Sequence, residues 1–238
     1  VKLMMQTTWQ LNLAWDEDIP TELQRAWLDY AEELSRFCTI GISRRVIGVF
    51  NPVQVNLHAF CDASERAYGA CVYIQAIDET NYGVARLLCV KSRVAPIKKL
   101  TIPRLELCGA VVLVELIQLV VGSLPIRIHE TYAWSDSTIV LAWIAGDVSR
   151  QKTFIANRIS KIQSILPIRH WKHVSSKENP ADLISRGASL DNSSTNSLWW
   201  SGPTWLSDGA IHWPCQIPEP SDQELRVVQS EQKRNLQS

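Results

Sequence analysis

The stretch Leu57-His58-Ala59-Phe60-Cys61-Asp62-Ala63-Ser64 decides how the chain is read. Leu57, Ala59 and Cys61 alternate with His58, Phe60 and Asp62, the pattern of a strand with one buried and one mixed face. The strand ends on a carboxylate followed by small residues. A lone acid in that position is costly to bury, and becomes economical where a metal or a partner requires it. The rest of the chain can then be searched for other acids that arrive at the same place.

Strand patterns continue downstream: Ala67 to Ala76 and Gly83 to Val94, separated by the turn residues Asp78-Glu79-Thr80-Asn81. Short connections favour an antiparallel meander. Thr101 suits an N-cap and Pro103 a first helical turn, so a helix is expected from Pro103 to about Val121, apolar nearly all round and therefore central. A strand from His129 to Trp134 ends at Ser135-Asp136-Ser137. Helices over Thr138 to Ala145 and Lys152 to Leu166, a strand over Ile168 to Val174, a loop over 175–180 and a short helix over Ala181 to Ser185 complete the series. The fold class is α/β: a mixed five-stranded sheet in the order β-β-β-α-β-α-β-α, flanked by helices.

Around this domain, 51–187, stand three further segments. Residues 1–50 read as a polar helical lead, starting a helix at Pro20-Thr21 and expected to pack on the domain. Residues 188–217 read as a Ser- and Asn-rich linker and a Trp-rich segment that folds back on the domain. Residues 218–238 read as a disordered tail.

The 238 residues are 46% hydrophobic, enough for a sizeable core. No run of about 18 uncharged apolar residues points to a membrane span, and Val1 to Met5 lack a signal-peptide pattern. The chain opens on Val1, as expected of a fragment of a longer product. The six cysteines form no CxxC pair and read as buried thiols. The net charge of zero is an average. Residues 1–85 hold 6 basic and 11 acidic side chains, residues 86–172 hold 13 and 5, and residues 173–238 hold 5 and 8. The basic middle suits a polyanion, or simply the solvated faces of helices.

Four acids stand out by placement. Asp62 ends the first strand, Glu106 opens the central helix, Asp136 ends the fourth strand and Asp182 begins the short helix. If the first and fourth strands are neighbours, Asp62 and Asp136 lie side by side with Glu106 above. Such acids share a site at neutral pH only when cations neutralise them. Hard divalent ions with oxygen ligands answer that need, and two of them about 4 Å apart make a site for in-line attack on a phosphodiester.

Phe60-Cys61-Asp62-Ala63-Ser64, Thr101 to Leu107, Trp134-Ser135-Asp136-Ser137-Thr138 and Glu178-Asn179-Pro180-Ala181-Asp182 together resemble the ribonuclease H domain of retroelement polyproteins. Lys91 to Pro96, Phe154 to Arg158 and Leu198 to Leu206 are similar to the Pao/BEL group of LTR retrotransposons in particular, a group that also carries the label "Pao retrotransposon peptidase". Leu11 to Asp16 resembles the join from reverse transcriptase to this domain. The resemblance implies that Asp62, Glu106, Asp136 and Asp182 bind two Mg²⁺, with Mn²⁺ as a substitute, and that Asp62 bridges them. It implies that His173, on a mobile loop, helps protonate the leaving group or release product. His170 is read as structural, within the fifth strand. The implied partners are an RNA–DNA hybrid and the reverse transcriptase and integrase portions of one polyprotein, with no membrane. The implied location is a cytoplasmic virus-like particle, or the nucleus.

The short span from Asp136 to Asp182 leaves no room for the extra basic helix with which some ribonucleases H grip the hybrid. Arg150, Lys152, Arg158 and Lys161, with Lys91, Arg93, Lys98 and Lys99, are expected to take part of that role. The expected nucleic-acid contacts are Ser64, Lys91, Arg93, Arg104, Ser137, Lys152, Arg158 and Asn179, and binding by the isolated chain should be weak. Two other readings compete: a catalytically idle, nucleic-acid-binding remnant of a retrotransposon, and an aspartic peptidase. The second needs an Asp-Thr/Ser-Gly loop and a nearly all-β fold, whereas Asp62-Ala63-Ser64 has no glycine.

Overall fold

The computed structural model describes residues 1–37, 40–187, 196–208, 213–214 and 216–233. They form two compact units, Val1–Arg44 with Ala188–Asn196, and Arg45–Gly187 with Ser197–Ser238. Cys38, Cys215 and the linker residues 188–195 lie outside the described residues.

The first unit holds two helices. α1 (Lys2–Gln10) was not foreshadowed by any apolar period, and none of its residues is buried. α2 (Thr21–Phe37) begins directly after Pro20. Its Leu23, Ala26 and Tyr30 share one partly sheltered face, at the spacing of neighbouring helical turns.

The second unit is built on a sheet of order β3-β2-β1-β4-β5. β1 (Gln54–Ala63), β2 (Ala67–Ile77) and β3 (Gly83–Val94) form the antiparallel meander. α3 (Ile102–Ser123) then carries the chain over the sheet to β4 (Glu130–Ser135), which pairs parallel with β1. α4 (Thr138–Ala145) and α5 (Thr153–Ile165) lead to β5 (Trp171–His173), parallel to β4. The fifth strand is shorter than the pattern suggested. Pro167 sets up a tight 3₁₀ turn over Ile168–His170, and pairing with β4 covers only Ala133 to Ser135. His170 therefore lies in that turn and not in the strand.

Each face of the sheet has its own core. On one side Leu57, Ala59 and Cys61 pack with Leu107, Leu113 and Ile117 of α3 and with Ile155 and Ile159 of α5. By length and composition alone α3 would pass for a membrane span. Here it is the centre of this layer, with 11 buried residues. Thr101 occupies its N-cap, although the hydroxyl makes no capping bond.

The other face of β1 is not the half-exposed face its alternation suggested. Every residue from Val55 to Ala63 is buried. Phe60, Tyr73 and Trp134 are covered by Trp205 and Leu206, with Trp134 and Trp205 rings 4.6 Å apart. α7 is Ser197–Ser201, after α6 (Asp182–Arg186), and leads into this cover. Tyr73 hydroxyl donates to the Trp199 carbonyl at 2.7 Å, and the Gln75 amide donates to the Leu206 carbonyl. Gly202 has φ +72, and a Cβ there would lie 2.6 Å from Leu206 Cδ1, so only glycine makes this corner.

His58 is buried inside the same layer. Trp134 donates to its Nδ1 at 3.2 Å, and its Nε2 faces Gln75 Oε1 at 3.0 Å. Burial lowers its pKa to about 3, so the ring is neutral. The apparent strand periodicity thus concealed a polar residue that only a third element could satisfy.

The tail departs from expectation. Of residues 218–238, expected to be disordered, 234–238 lie outside the described residues, and in the rest α8 (Asp222–Ser230) forms behind a capping box in which Ser221 and Glu224 exchange bonds. Val227 and Val228 give it an apolar edge packed against the main core. Two valines and a cap outweigh the otherwise polar composition.

Replacing Trp205 with alanine should remove the main cover of this face. Urea unfolding is expected to show a loss of about 3–5 kcal/mol, whereas Trp15→Ala, on an exposed side chain, should change stability by no more than about 0.5 kcal/mol.

Candidate active site

The pairing of β1 with β4 runs in register through Cys61 and Ser135. The next residue on each strand is an aspartate, so Asp62 and Asp136 stand side by side at the carboxyl ends of adjacent parallel strands. α3 crosses directly above. A Cβ at Gly109 would lie 3.1 Å from the Asp62 carbonyl and 3.6 Å from that of Gly69. Glycine there lets the helix sit down on the strand ends, and Glu106, three residues earlier, shares that face. Glu106 lies one residue further into the helix than expected, since α3 starts at Ile102 and not at Pro103, and so falls just past the first turn.

Short polar side chains hold these acids. Ser137 caps α4 by accepting from Val140 N–H, and its hydroxyl donates to Glu106 Oε2 at 2.7 Å. Asn179 donates to the Cys61 carbonyl at 3.0 Å and to Asp136 Oδ1 at 3.2 Å, which ties β1 to the site. Ser185 of α6 donates to Asp62 Oδ2, and Ser64 donates to the Ser185 carbonyl at 2.6 Å. α6 can approach because Gly69, opposite Asp62, carries no side chain. A Cβ there would lie 2.5 Å from the Lys91 carbonyl and 2.6 Å from Ile184 Cγ2.

Crowding of like charges shows in the acids themselves. Burial raises the Asp62 pKa to about 6, with Asp136 and Asp182 adding to the shift against the Ser185 hydrogen bond. Burial likewise raises Glu106 to about 7, with Asp136 and Asp62 contributing. Cys61, beneath them, is pushed well above the usual thiol range, first by burial and then by Asp136 and Asp62. One patch of negative charge is therefore held in a partly desolvated cleft.

Asp62, Glu106 and Asp136 come together at the strand ends, while Ser64, Ser137 and Asn179, expected to contact nucleic acid, are engaged in hydrogen bonds within the chain. Asp182 acts on Asp62 but turns its carboxylate to Arg186, one helical turn on. Among the described residues no three ligating side chains converge tightly enough to enclose an ion. His173 is the last residue of β5, in register with Ser135. It is held on a strand one place beyond Asp136, not on a loop. His170 faces Glu130 at 3.9 Å, away from the acids.

The basic residues divide into two groups. Lys91, Arg93 and Lys161 gather on Glu115, at 3.8 and 3.6 Å for the first two. That is nine residues along α3 from Glu106, about 13 Å of helix. Arg104, Lys152 and Arg158 are engaged elsewhere: Arg104 with Glu231, Lys152 with the Ser230 carbonyl, and Arg158 over the Phe154 ring at 3.5 Å. Sequence reading missed Ser185, Gly69 and Gly109. A lone glycine inside an apolar helix, which costs about 1 kcal/mol against alanine, was the available signal for the last.

A family model described as Pao retrotransposon-like RNaseH-like domain matches residues 1–137. The matched span includes Asp62, Glu106 and Asp136 and ends before His173 and Asp182. Among solved structures, RNase H1 from the halophilic archaeon Halobacterium salinarum NRC-1 is 15% identical, with 58% of this chain and 98% of that one covered and a TM-score of 0.38. The N-terminal RNase H domain of a Mycobacterium tuberculosis protein, solved as a fusion with maltose-binding protein, is 16% identical over 56% and 91%, with a TM-score of 0.38. LC11-RNase H1, in complex with an RNA/DNA hybrid, is 15% identical over 58% and 98%, with a TM-score of 0.37. No curated protein matches the chain in sequence.

The raised pKa values predict a stability signature in metal-free buffer. A carboxyl whose pKa rises on folding destabilises the fold when ionised, and the penalty fades as pH falls through the folded value toward the unfolded one. Asp62→Asn and Glu106→Gln should each stabilise the chain by about 1–3 kcal/mol at pH 7.5, with the gain vanishing near pH 4. The neutral, buried His58 acts in the opposite sense in acid, but equally in every variant. Urea midpoints at the two pH values measure the difference, and equal or lower stability of both variants at pH 7.5 would contradict the electrostatic account.

Proposed function

The chain belongs to the Pao retrotransposon-like RNaseH-like domain family, and from that premise we propose that it is a metal-dependent endonuclease that hydrolyses the RNA strand of RNA–DNA hybrids. The observation that carries this reading is the placement of Asp62 and Asp136 at neighbouring strand ends with Glu106 pinned above by Ser137. The set offers only hard oxygen donors, and burial, with neighbouring carboxylates adding to it, raises the proton affinity of Asp62 and Glu106. Both features suit divalent cations such as Mg²⁺ or Mn²⁺.

Asp62, Glu106 and Asp136 would hold the cations, and Asp182 would join them on leaving Arg186. When bound, the ions supply Lewis-acid polarisation of the phosphate and lower the pKa of water. The chain's own part is orientation. Ser185, Ser137 and Asn179 fix the rotamers of three carboxylates in advance, so little reorganisation remains when substrate arrives. Glu106, raised to about 7 by burial, is partly protonated at neutral pH, so metal binding should release protons. His173, on the strand next to the one that ends at Asp136, would hand a proton to the departing 3′-oxygen. Selection of the RNA strand would rest on A-form geometry and the 2′-hydroxyl.

A catalytically idle binding domain is the second reading, favoured by the absence of a converged ligand trio among the described residues. The α/β architecture and the lack of an Asp-Thr/Ser-Gly loop speak against an aspartic peptidase.

Cleavage of an end-labelled RNA–DNA hybrid in Mg²⁺ separates these. The expected result is RNA-strand cutting that EDTA abolishes and that Asp136→Asn lowers by at least about 100-fold. A folded chain that cuts nothing would support the idle domain. Peptide cleavage that survives EDTA would support the peptidase.

A further inference from the structure

α8 and the residues after it lie on the surface where nucleic-acid contacts were expected. Glu231 receives a two-pronged hydrogen bond from Arg104, Nε to Oε1 at 2.8 Å and Nη2 to Oε2 at 3.0 Å. Only a small part of Glu231 remains accessible. Lys152 donates its ammonium to the Ser230 carbonyl at 2.6 Å and its backbone N–H to the Glu231 carbonyl at 2.8 Å. Gln151 and Gln232 form a short antiparallel bridge, closed by Lys233 N–H donating to the Arg150 carbonyl at 2.8 Å. At the other end Thr138 donates to Glu224 Oε1 at 2.6 Å. Thr138 follows Ser137, the residue that holds Glu106. The segment thus runs from the edge of the carboxylate cleft to the basic edge of α5.

We propose that residues 222–233 are an intramolecular strap whose Glu231 carboxylate occupies a site for a backbone phosphate formed by Arg104 and Lys152, so that strap and nucleic acid compete. This inference rests on the nucleic-acid reading of the domain. A planar fork from arginine to two oxygens is the geometry by which a guanidinium takes either a carboxylate or a phosphate. Arg104 is also fixed 5.0 Å over the Phe154 ring, so its orientation does not depend on Glu231 alone. The strap is attached mainly by polar bonds, and Val227 and Val228 are only partly buried. Such a segment opens at modest cost. A polyanion that places phosphates on several cations at once also gains counterion release, which one carboxylate cannot match.

The test uses the full chain in EDTA, with a short RNA–DNA hybrid as the probe, so that binding is read without cleavage. Glu231→Gln should tighten hybrid binding by about 3–10-fold and steepen the salt dependence by about 0.7–0.9 for each cation released. Adding Arg104→Gln should cancel that gain. In the unsubstituted chain, saturating hybrid should speed hydrogen exchange at the amides of Lys152 and Lys233, which are locked by the strap. Protection that persists at saturation, or Glu231→Gln with unchanged affinity and salt slope, overturns the strap. A parallel Mg²⁺ assay keeps the two readings apart. Hybrid cutting without the affinity gain removes the strap alone, and the affinity gain without cutting removes the nuclease reading alone.

Discussion

Parallel pairing of β1 with β4 is the constraint on which the rest of the site depends. Parallel neighbours end at the same edge of a sheet, so two strands that each finish on an aspartate deliver both to one spot. An antiparallel pairing would have sent them to opposite edges. The pairing requires the long crossover through α3, and the crossover brings Glu106. One topological choice therefore gathers three acids separated by tens of residues in the chain.

The same gathering is a source of instability. Burial in the cleft raises the pKa of Asp62 and Glu106, and neighbouring carboxylates, Asp136 foremost, add to it. The chain tolerates this through donors on short, rigid attachments: Ser137 at a helix cap, Asn179 bridging two strands, and Ser185 on α6. These residues hold the acids in place. Arg186 treats Asp182 in the same way. Each acid has a local partner.

Much of the remaining fold serves to protect that sheet. α3 and α5 fill one face with aliphatic side chains, and the Trp-rich segment covers the other with tilted and edge-on rings. The buried His58–Gln75–Trp134 chain of hydrogen bonds makes the second layer specific as well as apolar. α8 then closes the side of the molecule next to the carboxylate cleft, and does so with charge more than with apolar contact.

The strands, the central helix and the four acids were legible from local pattern, because period, caps and strand-end placement are properties of neighbouring residues. The family resemblance carried by the acids and their flanking residues extended this to the site. What the sequence alone determined is therefore the order of elements and the identity of the clustered acids. Other features were settled only by tertiary structure. The polar face of β1 is buried because a segment about 145 residues later lies on it. Gly69 and Gly109 matter because another backbone or side chain comes within reach of a missing Cβ. Arg104 and Lys152, which read as free cations, are occupied because a polar tail folds as α8 and returns to them. Each of these depends on which distant surfaces meet, and the free energy of such meetings is not written in any local run of residues.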